Sequence, residues 1–206
     1  MPPPDPRQDL IAAANFFYRQ GWMFGTAGNL SARLPDGSFW ITASGKSKGN
    51  LTLDDLVRVD LDGYIESPTN LKPSAETAIH QTLYRLFPEA QACYHVHSVE
   101  ANLVSRFVDG ESLSLPPLEM LKGLAVWEEN PGCAIAIFPN HLNVKQIAAD
   151  IDQRFQNELP KIPALLIRDH GLTIWASSTE SARNYVELLE YIFRYMIIAR
   201  QIKLGD

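Results

Sequence analysis

Residues 93–98 read Cys-Tyr-His-Val-His-Ser, a short apolar run that carries two histidines. The residue types in this run favour a β-strand. Side chains of a strand alternate between its two faces, so His95 and His97 point the same way, with backbones roughly 7 Å apart. Both imidazoles can then converge on one metal ion, and imidazole is a common ligand of zinc, iron and copper. A metal site needs a third ligand, and an acid or base nearby if it is catalytic.

A third histidine occupies a suitable place further along the chain. His170 lies in the run Arg-Asp-His-Gly at residues 168–171, where an apolar strand ends. A His-x-His pair on one strand with a distant histidine at another strand end is the three-histidine pattern of catalytic zinc, which leaves a fourth position open. The alternative is three ordinary core or surface histidines. His80 and His141 are interpreted as structural, and His80 lies four residues after Glu76, with which it could pair on a helix.

The bulk composition limits the classes of function. The chain has 206 residues, 46% of them apolar and 20% charged, which predicts a single domain over residues 1–206 with a full hydrophobic core. A net charge of −6 argues against a nucleic-acid partner. A small phosphorylated ligand is compatible with this charge, because a local anion site needs few positive groups.

The cysteines and the chain ends point to a soluble, cytoplasmic protein without membrane association. The two cysteines, Cys93 and Cys133, have no Cys-x-x-Cys spacing, so they form neither a disulfide framework nor a thiolate metal site. Residues 1–5 do not resemble a signal peptide. The apolar segment at residues 191–198 is interrupted by Arg194 and is too short to cross a bilayer.

Strands are predicted to come mostly as hairpins rather than in strict alternation with helices. This pattern predicts an α/β protein of the α+β type, with a central, mainly antiparallel or mixed sheet flanked by helices. Predicted helices cover residues 6–20, 74–87, 99–107, 143–158 and 179–202. Predicted strands cover residues 30–33, 39–42, 56–61, 64–66, 134–138, 164–168 and 173–176 in addition to the histidine strand, and residues 108–126 are expected to be mostly irregular.

Two carboxylates are candidates for proton transfer. Glu76 opens a predicted helix directly behind Ser74, and Glu119 lies among apolar residues at 116–123. A carboxyl group in an apolar pocket has a raised pKa, which suits proton transfer near neutral pH. The alternatives are a first-turn acid favoured by the helix dipole for Glu76, and an exposed loop residue for Glu119.

Three segments of small residues could bind an anion. They are residues 26–29, the pair Ser44-Gly45, and Ser74 at a helix start. Glycine lets backbone N–H groups approach a phosphate closely, and hydroxyls and a helix N-terminus add donors. Each signal is weak alone, because Gly and Ser mark turns in general. The nearby Lys46, Lys48 and Lys72 are more typical of a solvated surface, although one of them could add positive potential.

These segments, in this order, resemble the class II aldolase family, whose members include fuculose- and ribulose-phosphate aldolases and epimerases. The matching segments are residues 26–31, 41–45, 72–76, 95–98 and 169–171, and the likeness spans about residues 8–200. The resemblance implies a homotetramer with active sites at subunit contacts. It also implies one Zn²⁺ per subunit, bound by His95, His97 and His170, and a substrate phosphate bound by Asn29, Ser44, Gly45 and Ser74.

Within this family, the residues favour dehydration over aldol cleavage. The run Leu-Glu-Met-Leu-Lys-Gly at residues 118–123, together with residues 72–76, is similar to dehydratases of a methylthio-substituted ketose 1-phosphate in methionine salvage. Sugar-phosphate aldolases often carry Ser-Ser-Glu where this chain has Ser74-Ala75-Glu76, so one hydroxyl donor is missing. The resemblance assigns the acid–base role to Glu119, with Glu76 as the alternative.

The remaining interpretations belong to other classes. A class II sugar-phosphate aldolase or epimerase would use the same three histidines. A non-catalytic member of the fold would lack the histidines or both glutamates, and all five are present. A structural zinc domain would close the tetrahedron with a fourth protein ligand, often cysteine, and neither cysteine is suitably placed.

Overall fold

One nine-stranded sheet runs through the molecule, in a computed structural model that describes residues 5–63, 65–66, 71–129 and 131–202. The strand order is β4-β3-β2-β1-β5-β9-β8-β7-β6. The strands are β1 (Asn29–Arg33), β2 (Phe39–Thr42), β3 (Leu56–Val59), β4 (Ile65–Glu66), β5 (Ala92–Val96), β6 (Ser112–Ser114), β7 (Ala134–Phe138), β8 (Ala164–Ile167) and β9 (Gly171–Ala176). The α-helices are α1 (Pro6–Gln20), α2 (Thr77–Leu86), α3 (Val99–Val104), α4 (Val144–Asn157) and α5 (Thr179–Gln201).

The sheet is mainly antiparallel, as predicted. Among the strands described, β7 and β8 pair in parallel and every other neighbouring pair is antiparallel. The helix α4 connects the parallel pair, which agrees with the need for a long crossover between parallel strands.

Helices cover both faces of the sheet. One core lies under α1, α3 and α5, and a second core lies under α2 and α4. The histidine strand β5 contributes to both, because Tyr94 and Val96 enter the first core and Cys93 enters the second. His95 shares the face of Cys93, so it points toward the side on which α2 begins.

Several element boundaries follow from local chemistry. The side chain of Asp5 accepts a hydrogen bond from the Arg7 backbone and caps α1, which ends at Gly21 in the left-handed conformation, with φ of 80°. Strands β1 and β2 form the predicted hairpin. Strands β3 and β4 form the second predicted hairpin, although β3 ends at Val59. The predicted strand residue Tyr64 and the N-terminal residues 1–4 lie outside the described residues.

Two predicted helix boundaries were wrong in detail. Helix α2 begins at Thr77 rather than at Ser74, because the Ser74 hydroxyl accepts the Glu76 N–H at 3.3 Å within a preceding turn. Helix α3 ends at Val104 rather than at residue 107. There the Ser105 hydroxyl donates to the carbonyl of Asn102 at 2.7 Å, and the next residues form tighter turns.

The segment at residues 108–126 is more ordered than predicted. It contains the edge strand β6, which pairs with β7, and a 3₁₀ helix over Glu119–Leu124. A three-residue edge strand is too short to show a period in the sequence. No helix among the described residues has the length and apolarity required to span a membrane.

Candidate metal centre

Three adjacent strands place polar side chains in one row. Asn29 on β1 lies opposite His95 on β5, and His95 lies opposite Thr173 on β9. His170 directly precedes β9, and His97 directly follows β5. The antiparallel register therefore brings the three predicted histidines together, where the central strands β5 and β9 have adjacent ends.

The three histidines meet the carboxylate of Glu76. One ligand atom from each of Glu76, His95, His97 and His170 lies within 4.8 Å of the others. Oε1 of Glu76 lies 2.8 Å from Nε2 of His170, and Oε2 lies 3.4 Å from Nε2 of His95. The Nε2 atoms of His95 and His97 are 2.8 Å apart. Two ring nitrogens this close can share only one proton, so at least one presents a free lone pair.

Burial keeps the imidazoles of His95 and His97 neutral. Burial lowers the pKa of His95 to about 4 and that of His97 to about 3, against the attraction of Glu76. The Nδ1 atom of His95 also lies 2.8 Å from the hydroxyl of Thr173, which fixes the ring orientation. Neutral imidazole is the form that binds metal ions.

Glu76 is ionised in this setting. Burial by itself raises the pKa of its carboxyl group, but the neighbouring His95, His170 and His97 outweigh this effect and leave the pKa far below its usual range. The Glu76 carboxylate supplies a negative charge beside the imidazoles, which suits a divalent cation. The nitrogen and oxygen donors are those of known zinc sites, so the residues fit a metal ion.

A cavity of about 170 Å³ opens beside this cluster. It is lined by the three segments predicted to bind an anion, including Asn29, Ser44, Gly45 and Ser74, together with Glu76 and His97. Gly45 has a φ of 72°, and the space where a Cβ would project is open. The loop therefore presents backbone rather than side chain to the cavity.

Lys48 lies at the cavity, although the sequence did not single it out from Lys46 and Lys72. Its side chain lines the cavity, yet the residue is only 2% exposed, so the expectation of a solvated lysine was wrong. The ammonium group donates to the carbonyls of Thr26 at 2.9 Å and Lys46 at 2.8 Å. Burial lowers its pKa to about 8. Lys46, by contrast, forms an ion pair with Asp55 at 2.8 Å.

Glu119 lies apart from the cluster within one chain. Its side chain is 81% exposed and forms an ion pair with Lys122 at 2.8 Å. It lines a separate surface cavity of about 340 Å³, together with Leu121, Val126 and Trp127 among others. It is not among the residues that line the cavity beside the histidines, and it is not part of the cluster. His141 also lies outside the cluster and pairs with Asp150 at 2.8 Å, in agreement with a structural role.

The described geometry can be compared with known proteins. A family model described as "Class II Aldolase and Adducin N-terminal domain" matches residues 8–197. The chain belongs to the class II aldolase and adducin family. The match covers the whole sheet and all four cluster residues, and it confirms the resemblance in the sequence.

Relatives within the class II aldolase family agree in name. A methylthioribulose-1-phosphate dehydratase from Microcystis aeruginosa is 61% identical, covering 97% of this chain and 98% of its own length. A protein of the same name from Leptospira biflexa is 40% identical, covering 92% of this chain and 95% of its own.

Solved structures share the class II aldolase fold. YgbL from Escherichia coli aligns with a TM-score of 0.80 and 28% identity, over 97% of this chain and 89% of that protein. L-fuculose-1-phosphate aldolase from Thermus thermophilus aligns with a TM-score of 0.78 and 24% identity, over 98% of each chain. These likenesses confirm the predicted fold class.

Two glycines let the strands of this class II aldolase fold approach at the centre. A Cβ on Gly28 would lie 2.8 Å from the carbonyl oxygen of His95, and one on Gly171 would lie 2.1 Å from the carbonyl oxygen of Val96. Both contacts are with backbone of the histidine strand or its end, so a side chain at either position would push that strand away.

His80 is a buried, hydrogen-bonded histidine, in agreement with the structural role predicted, but its partners differ from the one suggested. Its ring does not bond Glu76 directly, although both residues are on or next to α2. Its Nε2 atom bonds Oδ1 of Asn29 at 2.5 Å, and its Nδ1 atom bonds the hydroxyl of Ser31 at 2.7 Å. The sequence offered no signal for these bonds, because they join β1 to α2 across the core.

Proposed function

We propose that this protein is a lyase that removes water from 5-methylthioribulose 1-phosphate, giving 2,3-diketo-5-methylthiopentyl 1-phosphate in methionine salvage. The carrying observation is the cluster of three histidines and Glu76 in a chain 61% identical, over 97% of its length, to a protein named for this reaction. A single catalytic domain in the cytoplasm fits such metabolism.

We propose that the bound metal is zinc, held by His95, His97 and His170. The support is the set of three imidazoles, whose Nε2 atoms face one another and the Glu76 carboxylate. When bound, zinc supplies Lewis-acid chemistry, because it stabilises negative charge that develops on the oxygens of the ketose. The Thr173 hydroxyl holds the His95 ring in the orientation that this binding requires.

The reaction needs a group that moves a proton from C3 of the substrate to the hydroxyl on C4. A carboxylate removes the proton from C3, and the proton then goes to the C4 hydroxyl, which leaves as water. The enol that remains becomes the 2,3-diketone. We propose Glu119 for this role, with Glu76 as the alternative. Glu76 lies in the cluster, and its ionised carboxylate is able to accept a proton.

Glu119 can take this role only from a neighbouring subunit. Its exposed side chain and its distance from the cavity lining within one chain support active sites at subunit contacts, and with them the homotetramer. Helices α3 and α5, which contact each other, also leave large apolar side chains exposed. These are Val99, Leu103, Tyr191, Tyr195 and Ile198. Contact with another copy would bury them.

The substrate phosphate is proposed to occupy the cavity beside the cluster. Ser44, Gly45 and Ser74 line it with hydroxyls and backbone, and Asn29 lies at its base. Buried Lys48 adds a positive charge to this cavity. A dianionic phosphate would raise the pKa of the Lys48 ammonium group above about 8 and keep it charged.

The reaction class is tested with three substrates. Zinc-loaded protein is incubated separately with 5-methylthioribulose 1-phosphate, fuculose 1-phosphate and ribulose 5-phosphate, and the products are identified by NMR. The proposal expects a 2,3-diketone from the first and no turnover of the others. Formation of dihydroxyacetone phosphate from fuculose 1-phosphate would instead identify an aldolase, and epimerisation of ribulose 5-phosphate an epimerase.

The origin of Glu119 is tested by mixing subunits. Glu119→Gln and His97→Ala each remove a different part of the site, so each homo-oligomer is expected to be inactive. Co-expressed subunits would regain part of the activity if one chain supplies the metal and another the carboxylate. Full activity of Glu119→Gln alone would contradict the assignment, and would leave Glu76 as the acid–base group.

A further inference from the structure

A chain of buried polar groups runs from Glu76 into the second core. The amide Nδ2 of Asn29 donates to Oε2 of Glu76, and Oδ1 of the same amide lies 2.5 Å from Nε2 of His80. Nδ1 of His80 lies 2.7 Å from the Ser31 hydroxyl, which lies 2.8 Å from the Tyr84 hydroxyl. The last four residues are each 2% exposed or less.

The bonds in this chain have one consistent direction. A carboxylate only accepts, so the NH₂ group of Asn29 faces Glu76 and its oxygen faces His80. Nε2 of His80 must therefore carry a proton. The ring is neutral, since complete burial lowers the pKa of His80 to about 4, so its Nδ1 is an acceptor. The Ser31 hydroxyl donates to this Nδ1 at 2.7 Å, a much shorter contact than its 3.4 Å approach to the Cys93 carbonyl oxygen. The Ser31 oxygen then accepts from Tyr84. Every donor points toward Glu76.

The hydrogen-bond chain restrains the Glu76 carboxylate at the metal centre. The hydrogen-bond chain ends on Oε2 of Glu76, while Oε1 lies 2.8 Å from Nε2 of His170. Hydrogen bonds linked in series polarise one another, so each donor strengthens the next. A carboxylate held at one oxygen cannot rotate freely, and its second oxygen keeps its direction.

We propose that His80, Ser31 and Tyr84 are positioning residues, which act through Asn29 to fix the orientation of the Glu76 carboxylate for the reaction. This inference rests on the proposed function, in which the Glu76 carboxylate lies in the cluster that the substrate meets and is the alternative acid–base group. His80 is the central member, because its ring accepts a hydrogen bond from Ser31 at Nδ1 and donates one to Asn29 at Nε2.

The tautomer of His80 is tested without any substrate. Zinc-loaded protein with ¹⁵N-labelled histidine is studied by NMR, and His80→Gln identifies the His80 signals. The proposal expects a neutral ring at pH 7 with the proton on Nε2 and none on Nδ1. A proton on Nδ1 would overturn the proposal, whatever the substrate of the enzyme proves to be.

Two substitutions at His80 separate positioning from packing. Glutamine can place an NH₂ group near the position of Nε2 and keep the donor to Asn29, whereas asparagine reaches only the position of Nδ1. The proposal expects kcat of His80→Gln to exceed that of His80→Asn about tenfold, on the order of one buried hydrogen bond, at equal zinc content. Equal values, or the reverse order, would overturn it.

The role of Tyr84, at the end of the hydrogen-bond chain, is tested with a matched pair of variants. Tyr84→Phe removes the terminal hydroxyl, while Tyr94→Phe removes an equally buried hydroxyl that donates to the Thr179 carbonyl at 3.2 Å, outside the chain. The expected result is a loss of about fivefold in kcat for Tyr84→Phe with KM within twofold, and kcat near wild type for Tyr94→Phe. Equal losses in both variants would overturn the positioning role. If the wild-type protein did not turn over the substrate, only the proposed function would be refuted. The NMR measurement of His80 would still decide the direction of the hydrogen bonds that lead to Glu76.

Discussion

Gly171→Ala is expected to disturb the histidine strand through the backbone alone. The new Cβ would lie 2.1 Å from the carbonyl oxygen of Val96, whereas a carbon and a carbonyl oxygen in contact are about 3.3 Å or more apart. Strands β5 and β9 would have to separate by about 1 Å at Val96 and Leu172, which face each other there. A ladder hydrogen bond stretched by this amount is effectively lost.

The magnitude follows from these two effects. Overpacking of this kind costs about 2 kcal/mol, and one lost backbone hydrogen bond adds about 1 kcal/mol. We therefore expect the free energy of unfolding of metal-free Gly171→Ala to fall by about 3 kcal/mol. Because His95 and His97 flank Val96, the zinc affinity should fall as well.

The assay is urea unfolding followed by tryptophan fluorescence, with zinc per chain measured on the native protein. Gly110→Ala is the matched control, because nothing lies within 4 Å of its added Cβ and its backbone has no positive φ. The control should equal wild type or be slightly more stable. A Gly171→Ala protein with wild-type stability and full zinc content would refute the reasoning about close strand approach.

Three further predictions concern the site. Lys48→Met should raise KM for the phosphorylated substrate at least about tenfold, since one charge-assisted hydrogen bond to phosphate is lost, while kcat changes less; an unchanged KM would contradict phosphate binding by Lys48. His97→Ala should lose both zinc and activity, and one zinc per chain in this variant would refute the role of His97 as a ligand. The pKa of His80 falls from 6.5 to about 4 in the folded protein, so the unfolded chain binds the proton first as pH decreases. The free energy of unfolding of the metal-free protein should therefore fall by about 2 kcal/mol more between pH 7 and pH 5 than that of His80→Gln.

Much of the fold was readable from local patterns. The Asp5 cap, the Gly21 stop, the first hairpin and the histidine strand all depend on residues close together in sequence, and the structure has each of them. Strand β6 was missed, because three residues show no period, and the start of α2 was misplaced by the Ser74 turn.

The metal centre was only partly predictable. The His-x-His spacing placed two imidazoles on one face, and His170 meets them as the three-histidine pattern suggested. The pattern did not place Glu76 among these histidines, where the structure has it. The burial of Lys48 and the bonds of His80 depend on contacts between distant segments, which no local pattern reports. The exposure of Glu119 marks a different limit. The proposed function has a second subunit complete the site, and such a contact cannot be predicted from local patterns in one chain.

The central claim is that the histidine cluster binds the zinc that the dehydration requires. The most direct test adds zinc in measured amounts to metal-free protein and records the conversion of 5-methylthioribulose 1-phosphate to the diketone. The account predicts that activity rises in proportion to zinc and reaches a plateau at one zinc per chain. Full activity without metal, or no diketone at one zinc per chain, would contradict it.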